Sequence, residues 1–283
     1  MRTRLLVPVI AFAAALFVFT APSLRAARSN AAGLPAGESA AASVLERSPR
    51  HGEFVDIPYA GHTPLRTWVV YPERKDKAGV VLVVHEIFGL SDWIRAVADQ
   101  FAAEGFIAVA PDLVSGLAPG GGGTDSASTR DDVVKLVRQL TPEEAAARLA
   151  AVRAWAARIP AANGKLGTVG FCWGGGRSFA YATTNPPPQA CVVFYGAAPD
   201  SASLLNVRAP VQGHYGGDDA RITATLDATR TTLASLQREF EPHVYAGAGH
   251  GFLRQQDGRD GANLKATQVA WPSTIGFLRK HLR

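Results

Sequence analysis

A thiol stands at the centre of the pentad Gly170-Phe171-Cys172-Trp173-Gly174, which follows the apolar run Leu166 to Val169 and precedes further glycines. A strand that turns sharply into a helix needs small residues on both sides of the bend. It then leaves the central side chain raised above the sheet edge, as a nucleophile elbow does. The N-terminal amides of the following helix point at the same spot and favour a thiolate or an oxyanion there. A nucleophile also needs a base, and the base an orienting group. Two later loops supply both in the chain order nucleophile, acid, histidine: Gly216-Gly217-Asp218-Asp219 and Gly247-Ala248-Gly249-His250-Gly251-Phe252. Cys172, Asp219 and His250 are therefore the expected nucleophile, orienter and base, with Asp218 as the alternative acid. Singly, each has a plainer explanation, since a Cys after a strand is commonly packing and an Asp after glycines is commonly a turn residue. Their order and context outweigh it. Of the seven histidines only His250 has such a loop; His214 falls on a strand, and His51, His62 and His281 read as surface residues.

A second stretch, Val83-Val84-His85-Glu86-Ile87-Phe88-Gly89-Leu90, closes the third expected strand. The loop at this place supplies one amide of an oxyanion hole, and the residue after the nucleophile supplies the other, which assigns the backbone N–H groups of Ile87 and Trp173. Glu86 lies between Val83-Val84 and Ile87-Phe88, so it is expected to be a buried carboxylate near the thiol. No spacing of His, Cys, Asp and Glu resembles a metal site.

The elements that must position these residues alternate. Strand-like runs occur at Arg66 to Tyr71, Val80 to Val84, Phe106 to Ala110, Leu166 to Val169, Cys191 to Tyr195, Val211 to Tyr215 and His243 to Tyr245. Helical spacing occupies Trp93 to Glu104, Pro142 to Arg158, Gly175 to Thr183, Thr223 to Arg238 and Ala262 to Leu282. The alternation predicts an α/β three-layer sandwich whose mostly parallel sheet has helices on both faces and presents ligands at the strands' carboxyl ends. Phe54 to Ile57 and Arg66 to Tyr71 have no helix between them, so the sheet should open with an antiparallel hairpin. Val114 to Leu140, with four consecutive glycines at 120–123 but no following Lys-Ser/Thr, is expected to be a flexible excursion rather than a phosphate loop.

The chain has 283 residues, 47% of them hydrophobic, enough for one large domain. Arg2 and Arg4 precede an uncharged stretch, Leu5 to Leu24, with small residues that suit cleavage after Ser23 or Ala26. Residues 1–26 are thus expected to be an export signal peptide, with an uncleaved anchor as the alternative. The mature protein would be periplasmic or secreted, in a bacterial envelope setting, with no stable membrane partner. Loss of Arg2, Arg4 and Arg25 lowers the formal net charge from +5 to +2, and no Lys/Arg block appears, so nucleic acid is not an expected partner. Residues 27–50, rich in Ala, Ser and Gly, read as a disordered linker, and the folded domain is expected over 51–283, beginning near His51. A bridge between Cys172 and Cys191 would waste an elbow built to present its side chain, so both thiols are expected free.

The motifs H-E-I-F-G-L, A-P-D-L at 110–113, G-F-C-W-G-G and A-G-H-G-F-L-R, spread from about Val80 to the C-terminus, closely resemble the dienelactone hydrolase family of the α/β-hydrolase superfamily. The resemblance implies cleavage of a small lactone or ester, anionic in the family's aromatic-degradation members, through a thiol acyl-enzyme without metal or organic cofactor. It further implies that Glu86 helps activate Cys172 and pairs with Arg254, and that Arg254 and Arg130 bind a substrate carboxylate. Departures at His85, Trp173 and Val134, and the export signal, put the family's usual substrate in doubt. Two other readings fit the same residues. A general carboxylesterase without carboxylate preference would treat neutral and anionic esters alike. A catalytically silent exported binding protein would label at its thiol without turnover.

Overall fold

Seven consecutive residues of β3 (Ala78–Val84) are buried, as a strand covered on both faces requires. In the computed structural model, which describes residues 33–283, β3 lies at the heart of an eight-stranded sheet. The other strands are β1 (Gly52–Ile57), β2 (Leu65–Val70), β4 (Ile107–Pro111), β5 (Ala162–Phe171), β6 (Ala190–Phe194), β7 (Val211–Gly216) and β8 (Phe240–Tyr245), in the spatial order β1-β2-β4-β3-β5-β6-β7-β8. β1 and β2 form the expected antiparallel hairpin, β2 pairs antiparallel with β4, and every pair from β4 to β8 is parallel. The helices are α1 (Ala41–Glu46), α2 (Asp92–Ala103), α3 (Arg130–Gln139), α4 (Pro142–Ala156), α5 (Trp173–Tyr181), α6 (Ser201–Leu204), α7 (Ala220–Thr223), α8 (Leu226–Ser235) and α9 (Ala262–Leu282).

Alternation along the strands divides the core. Val81 and Val83 pack with Trp93, Val97 and Phe101 of α2 and Trp271 and Leu278 of α9, whereas Val80 and Leu82 pack with Val152 and Ala156 of α4. Cys191 and Val193 join a third cluster with Phe179 of α5 and Leu233 of α8. The helix ends carry ordinary punctuation. Ser91 caps α2 by accepting from the Ile94 amide, and Thr141 caps α4 by accepting from the Glu144 amide at 3.1 Å, ahead of Pro142. Both cysteines are free.

Two expectations are corrected. Residues 33–50 are no linker: they contain α1 and dock on the domain through backbone carbonyls that a composition reading cannot see. Gly33 and Pro35 accept from the side-chain amides of Gln100 and Gln256, each at 2.8 Å, and Ala36 accepts from the Trp93 indole at 3.1 Å. The fold therefore begins no later than Gly33. The expected leader over 1–26 and residues 27–32 lie outside the described residues. The excursion over 114–140 is also built in. Asp112 accepts from the Thr124 amide and hydroxyl at 2.7 and 2.8 Å, Arg148 donates to the carbonyls of Leu113 and Ser115, and α3 buries Val133, Leu136 and Val137. Smaller differences follow from helix ends: the helix expected over 223–238 is α8, shorter at both ends, with α7 closing just before it, and His281 is largely covered rather than surface-exposed.

Candidate active site

At the end of β5 the backbone of Cys172 takes φ 53° and ψ −116° before α5 begins at Trp173. This positive φ costs a non-glycine residue about 1–3 kcal/mol and persists only where the surroundings hold it. Here the Cys172 amide donates to the Phe194 carbonyl at 3.0 Å, and the flanking glycines admit no alternative. A Cβ at Gly170 would lie 1.9 Å from the Gly174 carbonyl oxygen, and one at Gly174 would lie 2.4 Å from that of Val84.

The two later loops meet because β7 and β8 are paired up to Gly216 and Tyr245. The Gly217 amide donates to Tyr245 and the Asp218 amide to Ala248, at 2.8 and 3.0 Å. His250 Nδ1 thereby comes within 2.6 Å of Asp219 Oδ2, on a side chain only 8% exposed. Asp218 instead pairs with Arg259 at 2.9 Å on the surface. His250 and Cys172 line one cleft of about 310 Å³ together with Trp173, Tyr195, Arg177 and Arg221.

The loop after β3 brings a second set of charges to the thiol. Glu86 is buried, and its Oε2 lies 2.7 Å from Arg254 Nε, an ionic contact in which the N–H is not aimed at the carboxylate. Burial pushes the Glu86 carboxyl up to about 7, against the opposing pull of Arg254. Burial, then the negative charge of Glu86, push the Cys172 thiol up to about 11. The Trp173 amide acts the other way but is outweighed, so the resting thiol is protonated at neutral pH, contrary to the expected thiolate. Among the described residues no acceptor takes the Ile87 amide, and the Trp173 amide heads a helix; both remain available for an oxyanion.

Arg130 and Arg254 do come together, but on a partner the sequence did not suggest. Glu38, just before α1, has Oε1 2.8 Å from Arg130 Nη2 and accepts a hydrogen bond from Arg254 Nη1 through Oε2.

Three further residues escaped sequence reasoning. Tyr195 is fully buried at the end of β6 with φ 42°, and its hydroxyl, beside Glu86 and Cys172, is held well above its ordinary pKa by burial and by those two groups. Its sequence signal was a strand-ending Tyr before Gly196. His85, noted only as a family departure, is buried; its Nε2 accepts from the Leu113 amide at 3.1 Å, which makes Nδ1 the donor to the Glu86 carbonyl at 2.6 Å. Burial lowers its pKa, and the neutral ring stacks on Trp173 at 5.5 Å. Arg177 lines the cleft with its Nε buried and without a hydrogen-bond partner among the described residues.

Comparison with known proteins agrees with this architecture. The model of the dienelactone hydrolase family matches residues 65–282. A provisionally named carboxymethylenebutenolidase of Salmonella typhimurium is 31% identical over 266 residues, covering 87% of this chain and 96% of that protein. The carboxymethylenebutenolidase of Pseudomonas putida is 30% identical over 223 residues, covering 78% and 92%. Among solved structures, a provisionally named dienelactone hydrolase of Klebsiella pneumoniae superposes with a TM-score of 0.70 at 28% identity, over 81% of this chain and 98% of that one.

Proposed function

Because the chain belongs to the dienelactone hydrolase family, and so is a hydrolase of ester or lactone bonds, we propose that it cleaves a small ester or lactone through a Cys172–His250–Asp219 triad and an acyl-enzyme. One observation carries the proposal: the strained elbow presents Cys172 to the cleft that also holds His250, whose Nδ1 is fixed by Asp219. Asp219 selects the tautomer in which His250 Nε2 can exchange a proton. Since the thiol rests protonated, attack requires its proton to leave as the S–C bond forms. Glu86, poised near neutrality, can draw that proton off, and His250 Nε2 holds it by the time the leaving group departs. The Sγ lone pair forms the S–C bond as the carbonyl electrons move to an oxygen held by the Ile87 and Trp173 amides, and collapse to the thioester breaks the C–O bond and expels the alcohol or enol with the proton from His250. Water deprotonated by the same base then cleaves the thioester and returns the thiol. No step calls for a metal or organic cofactor.

Cys172→Ala should lower turnover of p-nitrophenyl esters by about a thousandfold or more while leaving the circular dichroism spectrum unchanged. Wild-type turnover in that variant overturns the triad. A general carboxylesterase is the second reading, and Glu38 favours it: the two arginines that would select a carboxylate already hold one. The pattern of residues 1–24, two arginines and then an uncharged apolar run, supports export, which N-terminal sequencing of protein from the native host tests: a start after Ser23 or Ala26 is expected.

A further inference from the structure

Two arginines from distant parts of the chain, Arg130 in the first turn of α3 and Arg254 in the loop after His250, converge on a single carboxylate. Both guanidinium groups lie against the Phe88 ring, at 3.5 and 5.1 Å from its centre. Paired guanidinium donors over an aromatic face form a cradle whose chemistry selects a carboxylate. Arg254 also touches Glu86, whose charge acts on the Cys172 thiol, so the cradle is one side chain removed from the reacting sulfur. The carboxylate in it belongs to Glu38, which arrives on the segment before β1 and remains 37% exposed at the rim.

We propose that Glu38 is a built-in occupant of this cradle and sets the substrate's charge: it neutralises Arg130 and Arg254 and thereby disfavours esters or lactones that carry a carboxylate near the scissile bond. The proposal rests on the hydrolase reading above. With Glu86 ionised, the group Arg130, Arg254, Glu38 and Glu86 has no net charge, so an incoming anion finds two carboxylates already in place of an open pair of cations. A substrate carboxylate must displace a tethered competitor whose effective concentration is on the order of millimolar. Neutral esters meet no such competitor.

The experiment uses two matched probe pairs on the full chain. Hydrolysis of p-nitrophenyl acetate and of mono-p-nitrophenyl succinate compares neutral with anionic esters. Alkylation of Cys172 by iodoacetamide and by iodoacetate makes the same comparison without turnover, and Cys191 is buried and does not compete. In Glu38→Gln the anionic-to-neutral ratio of kcat/KM should rise about ten- to a hundredfold, chiefly through a lower KM for the succinate. The alkylation ratio should move the same way by about three- to tenfold. Adding Arg130→Gln to that variant should erase most of both gains. Arg130→Gln alone, at an exposed position, should lower both ratios, because Glu38 is then left unbalanced. An unchanged alkylation ratio in Glu38→Gln and in Arg130→Gln overturns the proposal, as does a gain that survives loss of Arg130. Absence of ester turnover with a shifted alkylation ratio would sink the hydrolase reading and leave the role of Glu38 standing.

Discussion

Two acid-bearing partners flank Cys172, and they differ in what water does to them. On one side His250 is about a third exposed and is steered by Asp219, whose carboxylate meets Nδ1 and fixes the tautomer. On the other, Glu86 is buried, touches Arg254 without a well-aimed hydrogen bond, and is pushed up to about 7. The first arrangement orients a base; the second tunes one. A thiol pushed up to about 11 needs both, because orientation alone does not create a thiolate and a buried carboxylate alone cannot deliver a proton to a leaving group.

The sharpest way to break this contrast is Asp219→Asn, which keeps the shape and reverses the tautomer of His250. Turnover of p-nitrophenyl acetate should fall by about a thousandfold or more with melting little changed. Glu86→Gln should cost less, about a hundredfold, and should change the pH profile. In the wild type, activity should climb with pH through about 7 as Glu86 ionises and becomes able to accept the thiol proton; in the variant that limb should vanish. Stability carries the opposite sign. The folded Glu86 binds its proton more tightly than the unfolded residue, so its contribution is present below about 4.5 and is lost as pH rises through about 7. The melting temperature of Glu86→Gln relative to wild type should therefore increase between those limits. A flat difference would show that Glu86 ionises with its ordinary affinity.

His85→Ala probes the loop that presents Glu86. It orphans the buried Leu113 amide and removes the ring under Trp173, a loss of about 1–3 kcal/mol, or about 2–4 °C in Tm per kcal/mol, with about tenfold lower kcat/KM. The smallest effect belongs to Asp218→Asn. Its exposed pairing with Arg259 is worth at most about 1 kcal/mol, and turnover should stay within about twofold of wild type. A large loss there would move the orienting role from Asp219 to its neighbour.

The exposed side of the contrast was the more legible. Cys172, Asp219 and His250 announce themselves because a polar residue among glycines after an apolar strand has few structural uses, and their order along the chain is itself informative. Glu86 was legible as buried from its apolar flanks, whereas the resting state of the thiol beside it was not: helix amides favour a thiolate, and the burial that opposes it depends on packing. Glu38 could not be found at all. It sits in an Ala- and Ser-rich stretch without apolar periodicity, and that stretch is held by its own carbonyls accepting from Gln100, Trp93 and Gln256, contacts that depend on partners more than fifty residues away. The ordering of 114–140 was hidden in the same way, since nothing in A-P-D-L shows that Asp112 accepts from the amide and hydroxyl of Thr124, twelve residues on.

The docking of Gly33, Pro35 and Ala36 also decides what any N-terminal trimming would remove. A peptidase that cut as far along as His51 would strip three side chains of their acceptors and carry away the acid that Arg130 and Arg254 hold. A cut after Ser23 or Ala26 leaves all of them in place. Stepwise N-terminal shortening past Gly33 should lower the melting temperature as these acceptors are lost, and substrate charge preference should change once Glu38 is removed.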